Sequence, residues 1–323
     1  MNDNTNRTAL VTGATSGLGF EAAAQLAEAG YRKVTITGRN TARADEARDR
    51  LVARTGREVF ETVSVDLNRT DSVATAVATL AERGDQIDFL LLNAGMVAGS
   101  ELVLTEEGIE ITAASSLIGH HQLTMGLLDR GLLGGRARIV IAGSEAARGD
   151  VPTFNPTDLA QLAEEGYSGD SGAAAEALLR HDAPLKYKPA TAYANAKLLV
   201  AYWAAELSRR LPGGMTVNAV SPGSAPDTDA GRNANFFMRN IMMPFFRIVP
   251  GMSAPVSTAA GRYVEAAGYS DEVTGAFFAS APKKMTGPMH RVDLPHVNDR
   301  KSQEGAWQAI VSVSGGVDYP VAA

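Results

Sequence analysis

The residues Thr12-Gly13-Ala14-Thr15-Ser16-Gly17-Leu18-Gly19 join a short apolar run, Arg7 to Thr12, to a helical pattern, Leu18 to Ala29, that closes at Gly30. Strand, glycine-rich turn and helix in this order open a rhythm that continues for about 220 residues. Lys33 to Thr37 and Val59 to Val65 read as strands, with a helix, Thr41 to Thr55, between them. A helix, Asp71 to Arg83, precedes a strand, Ile87 to Leu92, that ends in Asn93-Ala94-Gly95. A long helical stretch, Thr105 to Asp129, leads to a strand, Ala137 to Ala142, and a helix, Thr191 to Arg210, leads to a strand, Met215 to Val220. Such alternation predicts an α/β fold: a doubly wound parallel sheet with helices on both faces.

Two regions interrupt the rhythm, 145–190 before the helix that carries Tyr193, and 223–270 after the sixth strand. Structureless loops of that length are uncommon, so each is expected to contain helices and to cover a site. Thr157 to Glu165 and Ala173 to Arg180 look helical within the first. With no internal repeat or low-complexity tract, the 323 residues are expected to form one domain with helical insertions near its site.

Composition narrows the partners. A net charge of −6 argues against a general nucleic-acid binder, which needs a basic surface. The chain has no cysteine, which removes disulfides, thiolate metal sites and cysteine nucleophiles. His120 and His121 are adjacent, so on a helix they point about 100° apart and do not chelate, and no metal site is expected. A signal peptide would need an apolar stretch after a basic start, whereas Met1 to Arg7 run straight into the short strand Thr8-Ala9-Leu10-Val11. The apolar segment Phe236 to Pro250 is interrupted by Arg239, Pro244 and Arg247 and is too short to span a bilayer. A cytoplasmic protein without stable membrane insertion is the expectation.

The glycine turn can aim backbone N–H groups and a helix N-terminus at an anion. Gly13, Gly17 and Gly19 allow the backbone to approach a pyrophosphate closely, with Thr15, Ser16 and Leu18 between them. A tight strand-to-helix turn without ligand is the alternative. At the end of the second strand, where an NAD site places a carboxylate, this chain has Gly38-Arg39-Asn40. Arg39 can pair with a 2′-phosphate, which favours NADP(H) over NAD(H); a solvated surface arginine is the plainer reading. Asp66 either bonds an adenine amino group or caps the helix that follows Leu67-Asn68.

Tyr193 and Lys197 stand four apart, so on a helix they share one face. An ammonium beside a phenol lowers its pKa, and a phenol so tuned can give a proton to a carbonyl oxygen. Tyr-x-x-x-Lys also occurs on ordinary amphipathic helices.

Taken in order, the glycine turn, Asn93-Ala94-Gly95, Ser144, Tyr193 with Lys197, and Ser221-Pro222-Gly223 followed by Thr228 resemble the short-chain dehydrogenase/reductases of the classical type. The resemblance covers residues 7 to 230 well and the last third loosely. Gly38-Arg39-Asn40 and Gly108-Ile109-Glu110 are most similar to the retinol-dehydrogenase and carbonyl-reductase branches. The resemblance implies a Rossmann-type fold. It also implies that Ser144 bonds the substrate oxygen, with Gly143 giving the substrate room, that Tyr193 donates the proton, and that Lys197 tunes the tyrosine and holds the nicotinamide ribose. Asn93, with Ala94 and Gly95, would brace the central strand beside the cofactor, and Pro222 and Gly223 would close over the nicotinamide.

One position departs from the family. Where it usually has an asparagine, whose backbone helps hold a water beside the lysine, this chain has Ser116. The serine leaves the carbonyl available and changes the side-chain bonding. By resemblance, Phe236 to Phe246 is a substrate lid whose methionines and aromatics suit a bulky apolar molecule. A core helix or an interfacial contact with a membrane is the alternative there. The insertion before Tyr193 makes a monomer plausible, with a homodimer as the other possibility. The expected activity is NADP(H)-dependent reduction of a hydrophobic ketone or aldehyde, or oxidation of the matching alcohol. A non-catalytic NADP(H) sensor is the alternative, whereas the G-x-x-G-x-x-G turn of dehydratases and epimerases among the extended relatives is not matched.

Overall fold

β1 (Thr8–Val11) is buried along its whole length and pairs in parallel with β2 (Lys33–Gly38) on one side and β4 (Ile87–Leu92) on the other. β3 (Phe60–Ser64) lies beyond β2, and β5 (Leu133–Ala142), β6 (Thr216–Val220) and β7 (Phe277–Ser280) follow β4. β8 (Met289–Arg291) follows as an antiparallel edge strand, so among the described residues the sheet has eight strands in the order β3-β2-β1-β4-β5-β6-β7-β8. The order reverses between β1 and β4, and such a switch leaves a crevice at the carboxyl ends of the two strands. This computed structural model describes residues 4–97, 99–151, 154–182, 185–225 and 253–318. The segment Phe236 to Phe246 and Thr228 lie outside the described residues.

Two apolar cores fill the two faces. One face carries α1 (Gly17–Glu28), α2 (Thr41–Thr55) and α9 (Val256–Ala266), which bury Leu26, Leu51 and Tyr263 against Val11, Phe89 and Val140. The other carries α3 (Thr70–Arg83), α5 (Gly119–Asp129) and α8 (Pro189–Ser208), which bury Val77, Leu123 and Trp203 with Leu10, Leu90 and Ile139. Runs such as Leu90-Leu91-Leu92 are continuous because a strand covered on both faces has no polar side.

The expected helix Thr105 to Asp129 begins later. Gly108 has φ +74°, and Glu110 accepts the N–H groups of Thr112 and Ala113, so the helix starts at α4 (Ile111–Ala113). It then widens into a π-helical turn, Ala114–Ile118, before α5. The region 145–190 holds a 3₁₀ turn (Glu145–Arg148), α6 (Leu159–Gly166) and α7 (Ser171–Arg180). α7 packs on α8 together with the last long helix, α11 (Arg300–Val313), which follows the short α10 (Pro295–Asn298). α8 is therefore buried without interruption from Ala194 to Leu207, as a helix without a polar face requires. Trp203 donates to Nδ1 of His121 at 3.1 Å, and His121 Nε2 donates to the Val317 carbonyl at 2.6 Å, which ties the C-terminal segment to this core.

Candidate active site

The glycine turn and the end of β4 touch. Gly13 has φ +64°, and a Cβ there would meet Ala94 at 2.9 Å. A Cβ on Gly19 would lie 2.5 Å from Asn93 Nδ2 and 2.6 Å from the Gly13 carbonyl. Asn93 Nδ2 donates to the carbonyls of Thr12 (3.0 Å) and Gly13 (3.3 Å). Thr12 Oγ1 accepts the N–H groups of Asn93 (2.9 Å) and Ala94 (3.0 Å). His120 completes this mesh from the helix. Its Nδ1 lies 3.1 Å from the Ser116 carbonyl, which can only accept, so Nδ1 donates there and Nε2 accepts a hydrogen bond from the Thr12 hydroxyl at 2.9 Å. Burial pushes this histidine down to about 3, so the ring is neutral. His120 is thus a packed, bonded core residue.

A cavity of about 980 Å³ opens at the switch point. Gly13, Thr15, Ser16, Gly17 and Leu18 line one side; Asn93, Ala94 and Gly95 line the floor; Arg39, Asp66 and Leu67 line the far end. Gly19 sits beneath the turn. Ser16 precedes α1 without capping it through its side chain, so the helix N-terminus faces the cavity without a protein anion. Arg39 is exposed and, like Arg43 one helical turn further on, has no acidic or hydrogen-bonded side-chain partner among the described residues. Two cations that make no ion pair among the described residues, at one end of a cavity, fit a phosphate. Arg43 escaped the sequence reading, although its spacing of four from Arg39 was visible. Arg50 is already engaged: it donates to the Thr15 carbonyl at 2.7 Å and lies over the Phe20 ring. Asp66 accepts the Asn68 N–H at 3.1 Å in a local turn, and the N-cap position of α3 falls on Arg69, so Asp66 is not the helix cap.

Tyr193 and Lys197 share one face of α8, with Lys197 Nζ 5.8 Å from the centre of the phenol ring. Ser144, just after β5, accepts the Ala146 N–H at 3.2 Å, and its hydroxyl lies near enough to the Tyr193 phenol to influence its ionisation. Burial pushes the Tyr193 phenol above its ordinary value, the Ser144 hydroxyl pulls against this, and the Glu145 charge adds to the rise. Lys197 is not among the groups that set this balance in the unliganded chain. Its ammonium donates to the Ala142 carbonyl at 2.8 Å and is itself pushed down to about 8 by burial. Gly143 packs closely on β7: a Cβ there would meet the Phe277 ring at 2.8 Å.

Ser116 sits in the π-helical turn, its Oγ buried and without a hydrogen-bond partner among the described residues. A Cβ on Gly95 would lie 2.9 Å from this oxygen and 3.8 Å from Lys197 Nζ. The cavity floor, Ser116 and Lys197 therefore meet at Gly95. The Ser116 carbonyl accepts one bond from the His120 ring, which takes one of its two lone pairs. Ser221, Pro222 and Gly223 follow β6, and the Gly223 N–H donates to Ser221 Oγ at 3.2 Å. Among the described residues, no group of three His, Asp or Glu is placed to hold a metal ion, and no helix is long and apolar enough to cross a membrane.

Residues 7–156 match the family of short chain dehydrogenases. The WW domain-containing oxidoreductase of Drosophila melanogaster is 30% identical over 285 residues, 87% of this chain and 64% of that protein, so the chain spans less than two thirds of its length. Retinol dehydrogenase 13 of Homo sapiens is 28% identical over 290 residues, 87% of this chain and 78% of that protein. A short chain dehydrogenase from Burkholderia cenocepacia, solved in complex with NADP, superposes with a TM-score of 0.61 at 25% identity, over 85% of this chain and 96% of that one.

Proposed function

The chain belongs to the short-chain dehydrogenase/reductase family, and from this premise we propose that it is an NADP(H)-dependent oxidoreductase that reduces the carbonyl of a hydrophobic ketone or aldehyde, or oxidises the matching alcohol. The observation that carries the reading is the meeting of Ser116 and Lys197 at Gly95, which joins the cavity to the Ser144–Tyr193 pair. The residues fit the cofactor: the uncapped helix at Ser16 suits a pyrophosphate, and Arg39 with Arg43 suits a 2′-phosphate. NADP is also what the Burkholderia relative holds. When bound, the cofactor supplies or accepts the hydride.

The chain's own residues manage the proton. Ser144 donates a hydrogen bond to the carbonyl oxygen and stabilises the charge that develops there. Tyr193, a phenol that is protonated at neutral pH and that burial keeps so, gives its proton to that oxygen. Lys197, at the junction with the cavity, holds the nicotinamide ribose. Leu102, Val103 and Leu104, exposed on the stretch after Gly95, favour an apolar substrate over a small acid. With α7 and α11 laid over α8, that helix has no free face for a second copy, which favours a monomer.

The second reading, a sensor that binds NADP(H) without turnover, draws on the serine at position 116, where the family usually has an asparagine. NADPH consumption with a panel of apolar ketones and aldehydes separates the two. The enzyme reading expects turnover; binding without any turnover supports the sensor.

A further inference from the structure

Glu145, the residue after Ser144, is 2% exposed and sits in a charged cluster that the proposed chemistry leaves unused. Its Oε1 accepts the N–H (3.2 Å) and the hydroxyl (2.9 Å) of Ser280 at the end of β7. Its other oxygen accepts the Ser221 hydroxyl. Arg262 of α9, also buried, brings Nη1 within 3.5 Å of Oε1 and donates from it to the Ser221 carbonyl at 2.9 Å. From Nη2 it donates to Ser280 Oγ (3.0 Å) and to the Gly287 carbonyl (2.6 Å). A Cβ on Gly223 would lie 3.0 Å from the same guanidinium.

A buried ion pair often stabilises a fold no better than well-packed apolar residues of the same volume. What this one contributes is a fixed geometry. We infer that Glu145 and Arg262 are positioning residues that fasten the Ser144 turn to the Ser221-Pro222-Gly223 turn. They hold the hydroxyl meant for the substrate oxygen at a constant reach from the loop meant for the nicotinamide. The role of the two turns rests on the reading given under Proposed function; the clamp itself is a property of the unliganded chain.

The groups around the Tyr193 phenol define the test. Lys197 lies on its own helix, Glu145 on the turn after β5, and Tyr263 beside Arg262 on α9. Glu145 is the anion among them that raises the phenol, so removing its charge lowers the pH at which Tyr193 ionises. Carbon-13 NMR of labelled tyrosine rings in the unliganded protein follows that ionisation, with Tyr193→Phe assigning the signal. Glu145→Gln is expected to ionise Tyr193 at lower pH than the wild type, and to lower kcat by about tenfold to a hundredfold with KM for NADPH little changed. Glu145→Gln leaves Arg262 buried without a counter-charge and can destabilise the fold. The double variant Glu145→Gln with Arg262→Met is therefore made as well. It is expected to recover thermal stability without recovering kcat. An unmoved Tyr193 titration, or recovery of kcat together with stability, overturns the clamp. If the wild type consumes no NADPH with any carbonyl, the functional reading fails, and the titration alone still decides the clamp: a downward move supports it and no move overturns it.

Discussion

The ammonium of Lys197 lies 5.8 Å from the centre of the Tyr193 ring and directs its hydrogen bond to the Ala142 carbonyl, not to the phenol. In the unliganded chain the two groups share a face without sharing a proton. Burial acts on both and favours the neutral form of each: the phenol goes up and the ammonium comes down to about 8.

The buried lysine carries a cost that can be measured. Its unfolded value is near 10.5 and its folded value about 8, so the penalty is full below about pH 8 and fades between there and 10.5. Lys197→Met is expected to stabilise the unliganded protein at neutral pH by on the order of 2 kcal/mol, less than the full penalty because the Ala142 bond is lost. The gain should shrink as pH rises through that window. Denaturant unfolding at pH 7 and pH 10 checks this, and turnover should fall by about a hundredfold in the same variant.

Cofactor choice is expected to rest on two arginines. Arg39→Ala and Arg43→Ala should each weaken NADPH binding by about tenfold to a hundredfold, the range for a charge-assisted bond, and leave NADH binding unchanged. Titration of each variant with both coenzymes tests it. An Arg50→Ala variant should disturb the Thr15 turn, and so weaken both coenzymes alike.

Two buried histidines make the fold acid-sensitive. His120 is held down to about 3 and His121 to about 4, against 6.5 in an unfolded chain. Below pH 6.5 the unfolded chain binds protons that the folded chain refuses, so stability is lost as pH falls from 6.5 towards 4. Each histidine contributes about 1.4 kcal/mol per pH unit in that window. Denaturation midpoints at pH 7.5 and pH 5 should differ accordingly, and His121→Phe should reduce the difference.

Much of the sheet was legible because strand, turn and helix signals are local. The glycine turn, Asn93 to Gly95 and the Tyr193 helix stand where their spacing put them. The start of the long helix was misplaced because Glu110, a buried carboxylate, caps it by a bond that apolar periodicity does not report. β7 and β8 are short and gain their pairing only from β6 and each other, so nothing in Phe277 to Ser280 announces a strand. Lys197's attachment to Ala142 and the Glu145–Arg262 pair join residues 55 and 117 positions apart. Only folding brings such groups together.

Ser116 offers a test of the departure from the family. Its hydroxyl is buried with no partner among the described residues, so Ser116→Ala should stabilise the unliganded protein by about 1 kcal/mol or more. If the hydroxyl passes protons towards Lys197, the same change lowers kcat while NADPH affinity stays constant. A stability gain without any kinetic effect would mean that the proton leaves by another route.

The most direct measurement is NADPH oxidation by wild type and Tyr193→Phe side by side, with apolar ketones and aldehydes, after both proteins have been shown to bind NADPH equally. The account predicts turnover by the wild type and a loss of about a hundredfold or more in the variant. Equal rates from the two proteins would contradict it.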